Sequence, residues 1–437
     1  MLLVDAVQPT LLLSGPEQAL DVAKEAAEMA RGSAGPAEIR AITRLGDAHA
    51  WAGQYRRARE TWTRAATLGG SREPSVLCER ANALLRAGEL DSARTAAYEA
   101  VVRSRQAESR ADLLDALAIA CSAEVHLGNL REALGCAEQM LAATEGEAGL
   151  DRLDAVAAIA WVTALLGDVD RAETALAQAR TQMSDLRMTA PGGVAAGMLA
   201  LGLGHFQEAV DAFEGKLTEV QLTPQAHLLS LRPFAPALAE AYARLGRTDE
   251  ARDLVNQFFD AALQTEQPRA VAPALRARGV AYDDEEAFAE ALRWHTGWGN
   301  RFEEGRTLLA RGEMLRRRKQ RAAARSDLAA AVQRFTQVGA VTWRARAAGE
   351  LRAAGERSAA LPAPIARGPE ALSQQEAAIV ELVAEGLSNR EIATRLYLSV
   401  KTVEGHLTAV YGKLGIRSRS QLLAALLGDS RDDAGPA

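Results

Sequence analysis

The chain has 437 residues; about a fifth are alanine, while Phe, Trp and Tyr together make up 5%. Strand formers are scarce and the best helix former is abundant, which argues against a sandwich, a barrel or a large sheet. The net charge of −6 is uneven: residues 1–300 sum to −13 and residues 301–357 to +8, so a nucleic-acid role belongs toward the C-terminus.

No apolar run approaches the ~18 residues of a membrane span, and the N-terminus lacks the pattern of a secretory leader. Cys78, Cys121 and Cys136 are an odd, sparse set, so no disulfide framework and a reducing, cytoplasmic location are expected. The opening MLLVD could pass for the first strand of a phosphoacceptor receiver domain. That domain needs an acidic pair there, and Asp5 is followed by Ala6.

The strongest internal signal is a recurring Gly-x-x-x-x-Ala. It falls at Gly53/Ala58, Gly88/Ala93, Gly128/Ala133, Gly167/Ala172, Gly204/Ala209 and Gly246/Ala251, with successive glycines 35, 40, 39, 37 and 42 residues apart. Each glycine closes one helical pattern by accepting a left-handed conformation. Each alanine sits early in the next helix and lets two antiparallel helices approach closely. Degenerate units follow around Ala291 and Ala324, and an incomplete one precedes at 16–32, for about nine helix pairs. A period of this length in helix pairs predicts an α-solenoid over residues 1–352, and the pattern resembles a loose tetratricopeptide repeat. The competing reading is a set of helical hairpins that do not stack regularly.

Pro16, Pro36 and Pro268 fall near helix starts, where a missing N–H costs nothing. Pro233 and Pro236 lie inside an otherwise helical stretch and are expected to break or kink it. Residues 353–369, with three prolines and little periodicity, read as a linker.

Residues 370–428 carry four serine-capped helices, starting at Ser373, Ser388, Ser399 and Ser418. Ser373/Glu376 and Ser388/Glu391 have capping-box spacing, and Gly386 and Gly415 end two of the helices. The second and third helices form a helix-turn-helix. Ile392, Ala393 and Leu396 face inward from the second; Val403, Leu407, Val410 and Leu414 line one face of the third. The opposite face carries Lys401, Gly405, Thr408 and Gly412, with Glu404 to one side, and is expected to enter a major groove. Residues 429–437 read as a disordered tail. The competing reading is a four-helix module that binds protein, given its net charge of zero. That charge is split, however: residues 370–385 carry −4 and residues 386–428 carry +4.

The stretches EGLSNREIA, LSVKTVEGHL and KLGIRSRSQL resemble the LuxR-type DNA-binding domain across 370–428. Residues 306–356 also resemble the repeat that precedes this domain in large ATP-binding LuxR-type regulators. Those regulators carry a Walker A loop; this chain has no GxxxxGK[ST] and only five lysines, so ATP binding is not carried over and no cofactor is expected. The resemblance implies double-stranded DNA as partner, pairing of two copies through the last helix, where Leu422, Leu423, Leu426 and Leu427 form a surplus apolar stripe, and contact with RNA polymerase. The expected DNA-contacting residues are Ser388, Asn389, Arg390, Lys401, Thr402, Glu404, Gly405, Thr408 and Lys413. Lys401, Thr402 and Lys413 suit phosphate, and Glu404 and Thr408 suit base edges.

Other signals are weaker. Cys121, His126 and Cys136 lack the tight spacing of zinc ligands. Trp294 and Trp298 flank His295 in the best aromatic patch for a ligand, although such residues more often fill gaps between helices. Arg316–Lys319 is a basic run at a helix end, suited to solvent, to flanking DNA or to an acidic partner. The sequence thus predicts an all-α, non-enzymatic, sequence-specific transcription regulator, with activation favoured. A solenoid would sense an unknown effector or protein, joined to a helix-turn-helix domain. The alternative is a repeat scaffold with secondary, weakly specific DNA binding.

Overall fold

The computed structural model describes residues 4–7, 10, 14–33, 35–68, 70–145, 149–185, 193–220 and 234–355, together with 379–380, 382–384, 386–395, 403–407, 410–411, 419 and 421–422. The chain divides into two compact units, Met1–Arg357 and Ser358–Ala437. The described residues are helical with no strand, and no described helix is long and apolar enough to cross a membrane.

In the first unit α1 spans Pro16–Met29. Eight antiparallel pairs follow. They are α2 Pro36–Trp51 with α3 Tyr55–Thr67, α4 Pro74–Ala87 with α5 Leu90–Gln106, α6 Arg110–Leu127 with α7 Leu130–Ala143, and α8 Leu150–Leu166 with α9 Val169–Asp185. Next come α10 Gly193–Leu203 with α11 Phe206–Val220, α12 Ala235–Arg244 with α13 Thr248–Gln264, α14 Pro268–Tyr282 with α15 Glu285–Trp298, and α16 Arg301–Arg317 with α17 Arg321–Val338. The last helix of this unit, α18, is Val341–Ala353.

The Gly-x-x-x-x-Ala signal is the hinge of the first six pairs. At Gly128 φ is 82°, and the N–H groups of Gly128 and Asn129 bond back to the carbonyls of Val125 and Glu124 at 3.0 and 2.8 Å. This double closure satisfies carbonyls that the helix end would otherwise orphan. It recurs at the other five glycines, and the six alanines five residues later are all fully buried. Asp283 (φ 54°) and Lys319 (φ 62°) close α14 and α16 in the same way without glycine. Within four pairs, α14 with α15 included through Gly279 and Phe288, a glycine receives a large side chain from the facing helix. A Cβ on Gly46, Gly197 or Gly312 would meet Trp62, Phe213 or Leu328 at 2.4, 2.4 and 2.7 Å.

Pro16, Pro36, Pro74 and Pro268 occupy first turns. Pro236 marks a break and not a kink: α12 begins beside it and it falls in the first turn, where its missing N–H has no helical partner to lose. Pro233 lies outside the described residues. Pro273, by contrast, is inside α14.

The pairs also meet across the superhelix, four or five units apart. Asn300, capping α16, donates to the carbonyls of Val125 and His126 at the end of α6. Gln267 and Arg269, at the start of α14, donate to the carbonyl of Arg86 near the end of α4. Arg346 of α18 donates to the carbonyl of Leu201 in α10 at 3.0 Å. The solenoid therefore coils tightly enough for its own side chains to fill part of its inner face.

That inner face buries charge. Glu240 and Arg244 of α12, Arg276 of α14, Glu303, Arg306 and Glu313 of α16 and Arg346 of α18 form one network. Arg276 meets Glu303 at 2.6 Å, Arg306 meets Glu240 at 3.0 Å and Arg346 meets Glu313 at 2.9 Å. Arg244 pairs with Glu313. Arg306 and Arg346 also lie over the buried Trp343 ring, at 4.9 and 5.7 Å. Burial alone would raise the Glu240 carboxyl, but Arg306, Arg276, Arg346 and Arg244 together hold it below the usual range.

Candidate nucleic-acid interface

The second unit builds a small core from Ile379, Val380, Leu382, Val383, Ile392, Ala393, Val403, Leu407, Val410 and Leu422. Its clearest local device is the entry to α19, Asn389–Arg395. The Glu391 N–H donates to Ser388 Oγ at 3.4 Å, and Glu391 Oε2 accepts from the Ser388 N–H and hydroxyl, both at 2.7 Å. This is a capping box. Those bonds, the backbone N–H first, hold the Glu391 carboxyl below the usual carboxylate range. Just before it, Gly386 (φ 88°) closes the preceding turn, with Leu387 N–H bonded to the Leu382 carbonyl at 3.2 Å.

The helical residues 403–407 separate into two faces. Val403 and Leu407 are buried, as is Val410 further on, while Glu404 and Gly405 are exposed. A Cβ built on Gly405 meets nothing within 4 Å. The residue lies on an open face, opposite the one that holds the helix to its domain. A rigid helix with one face packed and the other open is what insertion into a major groove requires.

The structure brings the other site residues together only in part. Ser388 and Arg390 are exposed at the start of α19. Asn389 is half-buried, and its Oδ1 accepts from Arg419 at 3.3 Å; Arg419 also donates to the Leu387 carbonyl. Arg419 thus ties the start of α19 to the last helical segment, a positioning role missed in the sequence reading although KLGIRSRSQL contains it. Lys401, Thr402, Thr408 and Lys413 lie outside the described residues. Leu422 is fully buried in the core, so it leaves the surplus stripe; Leu423, Leu426 and Leu427 lie outside the described residues.

Residues 370–426 match the family of bacterial regulatory proteins, luxR family. This segment is a LuxR-type DNA-binding domain. Within LuxR-type relatives, a Mycobacterium bovis chain named as HTH-type transcriptional regulator Mb0914c is 55% identical over 58 residues, covering 13% of this chain and 7% of that one. A Streptomyces halstedii chain named as HTH-type transcriptional regulator GfsR is also 55% identical over 58 residues, 24% of its length. The chain spans less than a quarter of the length of these curated relatives. The first unit has its own likeness. A Rap protein solved in complex with competence and sporulation factor aligns over 81% of this chain and 96% of that one, at 14% identity and a TM-score of 0.51. That likeness establishes a helical-repeat fold.

Seven of the fourteen basic residues in the stretch before the LuxR-type domain are held in ion pairs. Arg306 and Arg346 are in the interior network, Arg311 pairs with Asp327 at 2.5 Å, and Arg334 with Glu304 at 2.7 Å. In the basic run, Arg316 pairs with Glu350, Arg317 with Asp283, and Arg318 with Asp283 and Glu285. These contacts favour the solvated helix-end reading over flanking DNA. His295, Trp294 and Trp298 are likewise packing residues. His295 is buried, bonds Thr307 Oγ1 at 2.9 Å and stacks on Trp298, while Trp294 packs against Val271 and Leu275. Cys121 and Cys136 are core thiols, with burial pushing Cys121 up to about 12; among the described residues no cluster suits a metal.

Proposed function

We propose that the chain is a sequence-specific, double-stranded DNA-binding transcription regulator, and an activator by its resemblance to ATP-binding LuxR-type activators. The helical-repeat unit is its sensing or partner-binding arm. The observation that carries the reading is the match of residues 370–426 to the LuxR-type domain, whose open face includes Gly405. In this reading Lys401, Thr402, Lys413 and the start of α19, with Ser388, Asn389 and Arg390, meet phosphate and fix register. Glu404 and Thr408 read base edges, Glu404 accepting from cytosine N4. Two copies pair through Leu423, Leu426 and Leu427 on neighbouring half-sites, and the bound dimer contacts RNA polymerase in the cytoplasm.

The test is footprinting of the purified full chain upstream of its own and neighbouring genes, followed by binding-site selection. A protected site and a specificity ratio of roughly 10³ or more over random DNA support the regulator. Weak binding with no preferred sequence overturns it in favour of a repeat scaffold.

A further inference from the structure

A cavity of about 290 Å³ opens where α2 and α3 meet the start of α14. One side is aromatic: Trp51, Tyr55 and Trp62. The other carries Arg86, His126 and Arg269. These residues come from opposite sides of the superhelix and are brought together by the seam in which Arg269 Nη2 donates to the Arg86 carbonyl at 2.9 Å.

The charges here do not balance. Asp47 is the one carboxylate in the wall, and its oxygens are already committed. Oδ1 takes Arg86 Nη1 at 3.0 Å and Trp62 Nε1 at 3.2 Å; Oδ2 takes Arg44 at 3.1 Å. Arg269 Nε donates to Gln267 Oε1 at 2.7 Å, and no carboxylate among the described residues pairs with it. Burial first, and Arg86 second, lower this guanidinium to about 10. Arg86 Nε is buried with no hydrogen-bond partner among the described residues. Burial and Arg269 push His126 down to about 3, so it is neutral and adds no charge at pH 7.

A polar donor left unpaired and a cation left uncompensated at a half-buried site are costly, and each becomes favourable when an anion arrives. Among the wall residues, Arg86 and Arg269 against Asp47 leave one positive charge in surplus, which a single carboxylate balances. The planar guanidinium fork suits a carboxylate. The indole and phenol walls suit a flat apolar body. The volume, about ten waters' share of liquid, is at the small end of ligand sites.

We propose that this cavity binds a small flat monocarboxylate, its ring against Trp51, Tyr55 and Trp62 and its carboxylate on Arg269 and Arg86. Its role as an effector site rests on the solenoid being the sensing arm; the binding itself does not.

The experiment is calorimetric titration of the full chain, without DNA, with phenylacetate and indole-3-acetate and with their neutral amides. The acids bind at least tenfold more tightly than the amides. Arg269→Gln removes that preference, while Arg269→Lys, which keeps the charge, retains most of it. Because Arg269 also ties the seam, Ala270→Trp serves as a second variant: it fills the cavity from the first turn of α14 with Arg269 intact, and abolishes binding of acid and amide alike. Equal affinity for acid and amide, or no heat and no thermal shift at about 10 mM of either acid, overturns the proposal. DNA footprinting of unliganded protein reads the regulator assignment separately, so the two can fail independently.

Discussion

Asn300 Nδ2 donates to the carbonyl oxygen of His126 at 2.9 Å across 174 residues of chain. The same side chain caps α16, accepting from the Glu303 N–H at 3.0 Å, and also donates to Val125. One buried amide thus starts a helix and fastens a distant one. Asn300→Ala removes a cap and leaves carbonyls without a donor, an expected loss of about 2–4 kcal/mol. Asn300→Ser restores the cap alone and recovers about 1 kcal/mol of that. All six tryptophans precede residue 357, so urea unfolding followed by tryptophan fluorescence reads this unit directly. Equal stabilities of Asn300→Ala and the parent would show that the seam contributes nothing.

The repeat was legible because it is local. Gly128 and Ala133 act within one hinge, and the spacing that closes the turn is written in consecutive residues. Asp283 and Lys319 blurred the pattern by taking left-handed conformations that sequence assigns to glycine. The five-unit seam was not legible: nothing near Asn300 or Arg269 names a partner about 180 residues away. Nothing in the sequence marks Arg276, Arg306 and Arg346 as interior, yet they lie inside because Glu240, Glu303 and Glu313 gather around them. In the second unit the apolar stripe of Val403, Leu407 and Val410 fixed which face is packed. The Asn389–Arg419 contact depends on tertiary folding and escaped the reading.

The interior network makes Glu240 a sensitive position. It accepts from Arg306 at 3.0 Å and lies 3.8 and 3.9 Å from Arg276 and Arg346, all nearly inaccessible. Glu240→Gln leaves those cations facing a neutral amide, and removing one partner of a buried pair typically costs about 3–5 kcal/mol. The exposed pair Lys24–Asp21, at 3.0 Å with side chains 53% and 77% accessible, is the contrast. Asp21→Ala changes stability by roughly 0–1 kcal/mol. Equal effects of the two substitutions in urea unfolding would contradict a load on the interior network.

Acid sensitivity follows from groups in two windows, His295 and His126 in the upper and Glu303 in the lower. Burial, with Arg276 adding to it, lowers His295 to about 3, below its unfolded value of ~6.5. As pH falls the unfolded chain takes that proton first, so this contribution is complete above pH ~6.5 and is lost between there and about 3. Glu303 is held at about 2, Arg276 and Arg306 overcoming the opposing effect of burial. Its contribution is present above the unfolded value of ~4.3 and is lost as pH falls toward 2. Stability measured at pH values from about 7 to 4.5 therefore declines, and His295→Gln flattens that decline by up to about 1.4 kcal/mol per pH unit. The decline below pH ~4 persists in the variant, since Glu303 remains. An unchanged slope above pH ~4.5 would mean that His295 is not neutral in the fold.

Gly405 separates the stability of the LuxR-type domain from its recognition of DNA. The residue is helical and exposed, and an added Cβ meets nothing within 4 Å. Alanine is favoured over glycine inside a helix by about 0.8–1.0 kcal/mol, so Gly405→Ala should leave the domain as stable or slightly more so. The same methyl group projects from the face proposed to approach the base edges, where glycine permits close approach and nothing larger. Gly405→Ala is therefore expected to weaken specific binding at least tenfold while leaving non-specific binding, set by phosphate contacts, nearly unchanged. Glu404→Ala should act differently: it removes a hydrogen-bond acceptor and a repelling charge, relaxing selection at one base pair by roughly 1–3 kcal/mol with equal or better non-specific affinity. Thermal unfolding of the domain signal, paired with titrations on the selected site and on random DNA, reads both effects. Unaltered specific affinity in Gly405→Ala would place the DNA on another face of the domain.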